Sequence, residues 1–186
     1  MNVFDNFLNQ QFTADDVVQI LSKRGIKLER DDESCVKIDY SDYRFEIFVS
    51  ESRLTIRLAF PLADTFDNLC SLLAMNKVHY DRWCTKLYTT NLNRTDEETG
   101  EEKNEVWLVI LYTGWCFSKS SFNKQFDFAI QALVDSANLF IEYYRDYEDD
   151  MKAHNSRIGF NVRPDDEGKS GSDAGVNGKK GKIGFV

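Results

Sequence analysis

The chain has 186 residues, of which 42% are hydrophobic and 29% are charged, and its formal net charge at pH 7 is −8. This length fits one ordinary domain, and this composition is typical of a packed globular protein, which excludes wholesale disorder. No run approaches 18 apolar residues, so no membrane-spanning helix is predicted. Residues 1–11 carry no basic patch before an apolar stretch. We therefore expect no secretory signal, no membrane partner and a cytoplasmic protein.

The first predicted helix begins at a capping signal. Thr13 is followed three residues later by Asp16, which approximates a capping box, and Gly25 stands after Lys23-Arg24 as a C-terminal stop. The apolar residues between these signals are Val17, Val18, Ile20 and Leu21. Four earlier residues also have helical spacing, which fits either a short leading helix or an arm that packs on a partner: Phe4, Phe7, Leu8 and Phe12.

Three strands and a second helix are predicted next. Apolar residues occupy alternate positions over residues 36–40, 45–49 and 54–60, with short polar turns between them. This pattern predicts an antiparallel meander with one buried face. Pro61 ends the third strand, and we expect a helix that is capped by Asp64 or Thr65 and ends near Asn76.

A second sheet segment follows this helix. Residues 83–90 alternate in polarity, residues 96–102 are polar enough to form a hairpin tip, and residues 106–112 form the most continuous apolar run in the chain. Such a run is typical of a strand buried on both faces or against a partner. A last short strand over residues 115–117 is compatible with the pattern.

The final predicted helix is the longest element. Ser120 or Ser121 can cap it, and apolar residues recur in steps of four and three from Phe122 to Tyr147. The stripe covers roughly 26 residues, or about 39 Å. It either covers the domain's own sheet or pairs with its copy in a dimer, and the pattern leaves both arrangements open.

Composition changes sharply after Met151. Seven of the ten glycines follow it, and residues 151–186 hold seven Lys or Arg against four Asp or Glu, a balance of +3. Subtraction from the totals of 23 and 31 leaves 16 basic and 27 acidic residues in 1–150, a balance of −11. We predict one domain over residues 1–150, which repels nucleic acid, and a flexible, Gly-rich basic tail over residues 151–186.

The predicted tail contains an internal repeat. The sequence Arg157-Ile158-Gly159-Phe160 recurs as Lys182-Ile183-Gly184-Phe185, followed by Val186. Each copy could add to a sheet edge of a partner as a short docking strand, and a four-residue match in a biased segment also arises by chance.

Catalytic and metal-binding motifs are absent from the sequence. The four cysteines form no C-x-x-C pair, the two histidines lie far apart, and no nucleophile motif or phosphate-binding loop occurs. We therefore expect no enzyme activity, no cofactor and no metal site. The aromatic residues on the predicted strands either form a partner surface or, if helices cover both faces of the sheet, belong to the core. The candidates for partner binding are Trp107, Val109, Tyr112, Phe140 and Tyr144.

The order of elements, α-βββ-α-ββ(β)-α, resembles that of the YbjN-like family of bacterial proteins, which are often described as sensory transduction regulators. Three segments carry the resemblance: residues 13–21 with Gly25, residues 43–49, and residues 54–62, which end in Phe60-Pro61-Leu62. The resemblance covers about residues 13–147. The polar hairpin tip and the glycine-rich tail depart from the compact family pattern.

The same order looks like the fold of type III secretion chaperones, which are small, acidic, dimeric proteins that bind extended segments of client proteins. Together the resemblances imply an α+β domain whose antiparallel sheet is packed by helices. They also imply a non-enzymatic, chaperone-like or regulatory protein that binds a protein client or a second copy of itself. The alternative is a signalling adaptor whose tail motifs dock a partner.

Overall fold

A computed structural model describes residues 12–63, 65–95 and 102–157 of the chain. Within these ranges the chain forms three helices and six strands. In chain order they are α1 (Ala14–Lys23), β1 (Leu28–Arg30), β2 (Cys35–Tyr40), β3 (Tyr43–Ser50), β4 (Arg53–Pro61), α2 (Asn68–Asp81), β5 (Thr85–Thr95), β6 (Glu102–Trp115) and α3 (Lys119–Arg157). The predicted α+β class is confirmed, with one short strand, β1, added before the meander.

The helix starts show why local sequence signals succeed or fail. At α1 the Thr13 hydroxyl accepts the Asp16 N–H and the Asp16 carboxylate accepts the Thr13 N–H, so the predicted capping box is confirmed. At α2 the cap is Asp67, whose carboxylate accepts the Cys70 N–H at 2.9 Å. The predicted cap at Asp64 or Thr65 was wrong by two or three residues, because several capping residues occur in succession there.

All six strands belong to one antiparallel sheet, whose order is β1-β2-β3-β4-β6-β5. The first four strands are neighbours in sequence order, as the meander predicts. β4 then pairs with β6 rather than with β5, and Leu58 stands opposite Ile110. As a result β6 lies inside the sheet and the 11-residue strand β5 lies at its edge.

Two tight turns connect the strands of the meander. Ser41 and Asp42 have φ values of 50° and 66°, and Glu51 and Ser52 have values of 48° and 63°. Two central residues with positive φ are typical of the type I′ turn, whose twist matches that of the flanking strands. Neither turn contains glycine, so both store some backbone strain.

The core lies between the sheet and the helices. The helix α3 contributes its apolar stripe to it, and Phe122, Phe126, Leu133 and Phe140 are fully buried. Of the two predicted arrangements, the stripe therefore covers its own sheet and does not pair with its copy in a dimer. The helix has 39 residues rather than roughly 26, and it spans about 58 Å.

Two further predictions concern the C-terminal half of the chain. No separate strand forms over residues 115–117: Trp115 is the last residue of β6, and the Cys116 N–H donates to the Ser52 carbonyl at 2.7 Å. The chain divides after Met151, and the helix α3 continues to Arg157. The leading segment 1–11, the hairpin tip at 96–101 and the tail from residue 158, including all but Arg157 of its repeat, lie outside the described residues.

Candidate protein-binding surfaces

Side-chain alternation gives the sheet two faces of different character. On β4, Leu54, Ile56 and Leu58 are buried against the helices. The residues between them point the other way, as do their partners on β3 and β6. In the part of the chain that the structure describes, the core formed with the helices lies on the first face only. We call the second face the open face.

One half of the open face, on β1 to β4, carries ion pairs. Arg44 contacts Glu29 at 2.6 Å, and an amine of Lys37 lies 2.9 Å from Asp31. Arg57 pairs with Glu46 and stands over the ring of a neighbouring β3 residue, Phe48. Exposed pairs of this kind contribute little to stability, but they keep this half of the face solvated.

On the other half of the open face, apolar residues of β4, β6 and β5 form a cluster, with Arg57 of β4 and the exposed Lys86 of β5 on either side of Leu111. Val109 lies on β6 between Ala59 of β4 and Tyr88 of β5, and Trp107 and Leu111 flank it along the strand. We call these five residues the open-face patch. Val109 is only 3% exposed although it is not part of the helix-covered core, whereas Tyr88 is 42% exposed. The patch is thus a small apolar cluster with a buried centre and an accessible rim.

The structure separates the five predicted partner-binding residues. Trp107 and Val109 lie together in the open-face patch. Tyr112 lies on the opposite, helix-covered face, where its hydroxyl donates to Gln125 at 3.4 Å and burial raises its pKa. Phe140 and Tyr144 are 0% and 5% exposed in the core. A partner could reach Phe140 and Tyr144 only if the domain opened, whereas Tyr112 is half-buried and lies on the face opposite to Trp107 and Val109.

Three residues of the patch were missed by the sequence analysis: Ala59, Tyr88 and Leu111. Each occupies an alternate position of its own strand, and this signal was available. Their meeting depends on which strands flank β6, and alternation within one strand carries no information on that. For Tyr112 the signal was hidden, because the continuous apolar run from 106 to 112 shows no alternation.

The outer edge of the sheet is formed by β5. The Leu87 N–H points away from β6 and donates to His79 Nε2 of α2 at 2.7 Å. In an antiparallel pair every second residue directs its main-chain groups outwards. It follows that Thr89 and Asn91 also present their N–H and C=O groups at the edge, where no described strand pairs with them.

A groove of about 400 Å³ opens beside this edge on the helix-covered side of the sheet. Its lining is mainly apolar and comes from α2, from the segment that precedes it, and from β5 and β6. The main residues are Leu62, Phe66, Leu72, Met75, Thr89 and Val106. Leu72 is 52% exposed and stands at the surface of α2.

Other large apolar side chains are exposed at the end of the sheet where β5 begins and β6 ends. Trp83 is 90% exposed, and the rings of Trp115 and Phe117 stack with centroids 6.1 Å apart. On the outer side of α2, Tyr80 and Leu69 are also exposed. Exposed apolar clusters of this extent are typical of interaction surfaces.

The described residues hold no group of three or more His, Cys, Asp or Glu side chains that could bind a metal ion. Three of the four cysteines are buried, and burial raises the pKa of the Cys35 thiol to about 11. None of the helices in the described ranges has the length and hydropathy that crossing a membrane requires.

Comparison with known proteins gives one informative result. No protein-family model and no curated protein sequence matches the chain. Among solved structures, it is similar to YbjN from E. coli, with a TM-score of 0.53 over 72% of this chain and 92% of that chain. The chain has the YbjN fold. At 10% sequence identity the likeness to YbjN establishes the fold alone, and it confirms the fold that the resemblance implied.

Proposed function

We propose that this chain is a non-enzymatic, regulatory protein-binding domain that acts in the cytoplasm and forms a homodimer through the open-face patch. The observation that supports this proposal is the apolar half of the open face. There Tyr88, Trp107 and Leu111 surround the buried Val109, with no described helix above them. Aromatic-rich apolar patches beside solvated charges are typical of protein interfaces.

The charge of the domain favours a protein partner over nucleic acid. YbjN is described as a candidate transcription regulator, and such a regulator can act on nucleic acid or on other proteins. In this chain, residues 1–150 carry 16 basic and 27 acidic side chains. A domain with this balance repels phosphate backbones, so we propose that it regulates through protein contacts.

A second copy is the partner that fits the patch. In a two-fold dimer the same surface of both copies forms the interface, so apolar residues face apolar residues. The Arg44–Glu29 ion pair lies on the other half of the open face, and the Arg57–Glu46 pair lies at the border of the patch, beside Leu111. Lys86 stands on the other side of Leu111, at the margin of the patch, where its long side chain can keep the ammonium group in water.

The test is the mass of the full chain in solution, measured by light scattering. We expect a value about twice the 21.6 kDa of the monomer. Replacing Tyr88 by lysine places a charge on the rim of the patch and should raise the dimer dissociation constant at least tenfold, since a buried unpaired charge is costly.

The matched control is Tyr80→Lys, the same substitution at an exposed residue of α2 away from the open face. It should leave the mass unchanged. A monomeric wild type would overturn the dimer proposal, and so would a loss of the dimer in Tyr80→Lys with none in Tyr88→Lys.

A further inference from the structure

The edge of β5 presents exposed main-chain groups with which an added strand could pair. Leu87 is already bonded to His79, so the accessible segment begins at Thr89 and includes Asn91. Neither residue is a proline or carries a charge. Edge strands that avoid pairing usually are short or carry such residues. β5 has 11 residues, and its charged residues, Lys86 and Arg94, lie outside this segment.

The apolar groove adjoins this same segment. Thr89 lines the groove and is also an edge residue whose main-chain groups point outwards. A strand added alongside β5 would place alternate side chains on the helix-covered side of the sheet, beside Thr89. One of those side chains would therefore lie over the groove, between Leu72 of α2 and Val106 of β6.

We propose that the β5 edge and the groove together bind an extended segment of a partner protein as an added strand. The main chain of the segment bonds to Thr89 and Asn91, and one large apolar side chain enters the groove. The site rests on the proposed protein-binding function but does not use the open-face patch, so the two can be tested separately.

A second copy of β5 does not fit this site. In a β5–β5 pairing, the side chains presented to the groove would be those of Thr89, Asn91 and Asn93, which are polar. Burying an amide among Leu62, Phe66 and Met75 without a hydrogen-bond partner is unfavourable. The groove requires an aliphatic or aromatic side chain, and a different sequence must supply it.

Charge limits the partner segment further. The domain's balance of −11 over residues 1–150 attracts basic segments and repels acidic ones. The expected segment is therefore extended, apolar at alternate positions, and neutral or basic in its flanks. This description identifies the partner by chemistry: a linear peptide motif with one dominant apolar anchor.

The test uses a displayed library of random 12-residue peptides, selected against the full chain. Enriched peptides should share one large apolar residue with alternating neighbours and few acidic residues. Their affinity is then measured on purified variants. Leu72→Lys places a charge at the mouth of the groove, and Asn91→Pro removes an outward N–H that the fold does not use. Each should weaken binding at least tenfold.

Two measurements separate this site from other modes of binding. Leu69→Lys is the matched control, because Leu69 is 49% exposed on the same helix, does not line the groove, and should bind peptide normally. Amide hydrogen exchange of Thr89 and Asn91 should slow when peptide binds, which contact with side chains alone would not cause.

The proposal is overturned if no peptide is enriched, or if the enriched peptides bind Leu72→Lys and Asn91→Pro as well as wild type. Peptides that are lost only in Tyr88→Lys would also overturn it, since they would place binding on the open-face patch. In that case the protein-binding function would stand and the edge site would fall. Unfolding curves of each variant exclude a loss of binding through misfolding.

Discussion

The cysteines show how burial controls the chemistry of single residues. Cys35, Cys70 and Cys116 are buried, and the removal of their thiols from water raises the pKa of each. Cys84, in contrast, is partly exposed just before β5. The thiolate is the reactive form of cysteine. The buried thiols are therefore protected in two ways, because reagents cannot reach them and because their raised pKa leaves little thiolate.

We therefore expect one fast-reacting thiol per native chain. Titration with a disulfide reagent at pH 8 should modify Cys84 first, and all four cysteines should react only after denaturation. The variant Cys84→Ser should abolish the fast phase and leave three slow thiols. Two or more fast thiols in the native wild type would contradict the burial described above.

Asp67 is the clearest case in which one residue links pH to stability. The Cys70 N–H that it accepts at the start of α2 holds the pKa of this carboxyl below its usual value. The folded-state pKa is lower than the unfolded one. The stabilisation is therefore complete above the unfolded pKa, and it is lost as pH falls through the folded pKa.

Replacing Asp67 by alanine should lower the free energy of unfolding by about 1 kcal/mol at pH 7, because the cap of α2 is lost. At a pH below the folded pKa of Asp67, the difference between wild type and variant should shrink. Urea unfolding at several pH values measures both effects. Thr65→Ala is the control, since Thr65 does not cap the helix, and it should change stability by less than about 0.5 kcal/mol.

At the scale of elements, a buried pair of hydroxyls joins β5 to α3. Thr85 and Ser136 are 2% and 0% exposed, and their hydroxyl oxygens lie 2.8 Å apart. Ser136→Ala should lower the free energy of unfolding by about 0.5–1.5 kcal/mol, because it removes one of the two hydrogen-bond partners of the buried Thr85 hydroxyl, the Arg82 carbonyl being the other. Adding Thr85→Val should recover part of this loss, and a double-mutant cycle measures the coupling. Strictly additive losses would contradict the contact.

Element types followed from the sequence because local patterns determine them. The alternation in 45–49 and 54–60 predicted β3 and β4, and the apolar steps from Phe122 predicted α3. The short strand β1 was missed, since three residues show too little alternation. The C-terminal extension of α3 was missed as well, because polar residues beyond Tyr147 hid a helix that carries no apolar stripe there.

At the scale of the whole molecule, the order of the strands in the sheet could not be predicted from the sequence. Trp107 and Val109 were predicted as partner-binding members of an apolar strand, and both lie on the open face. They lie beside Ala59 and Tyr88 because β4 and β5 both pair with β6. The groove depends further on where α2 packs. Such arrangements come from long-range contacts, which leave no trace in the spacing of residues along one element.

The crossing of β6 between β4 and β5 also affects how the chain folds as it is synthesised. The pairing of Pro61 with Trp107 and of Arg53 with Trp115 joins residues 46 and 62 positions apart. At the usual pace of ~5–20 residues per second, β4 is synthesised roughly 2–12 s before its second neighbour, β6. The meander can form at once, but until β6 is synthesised the edge of β4, which carries Leu54, Ile56 and Leu58, stays unpaired. Any delay in translating the α2–β5 region would prolong that wait, so the yield of folded protein should depend on elongation rate there more than elsewhere in the gene.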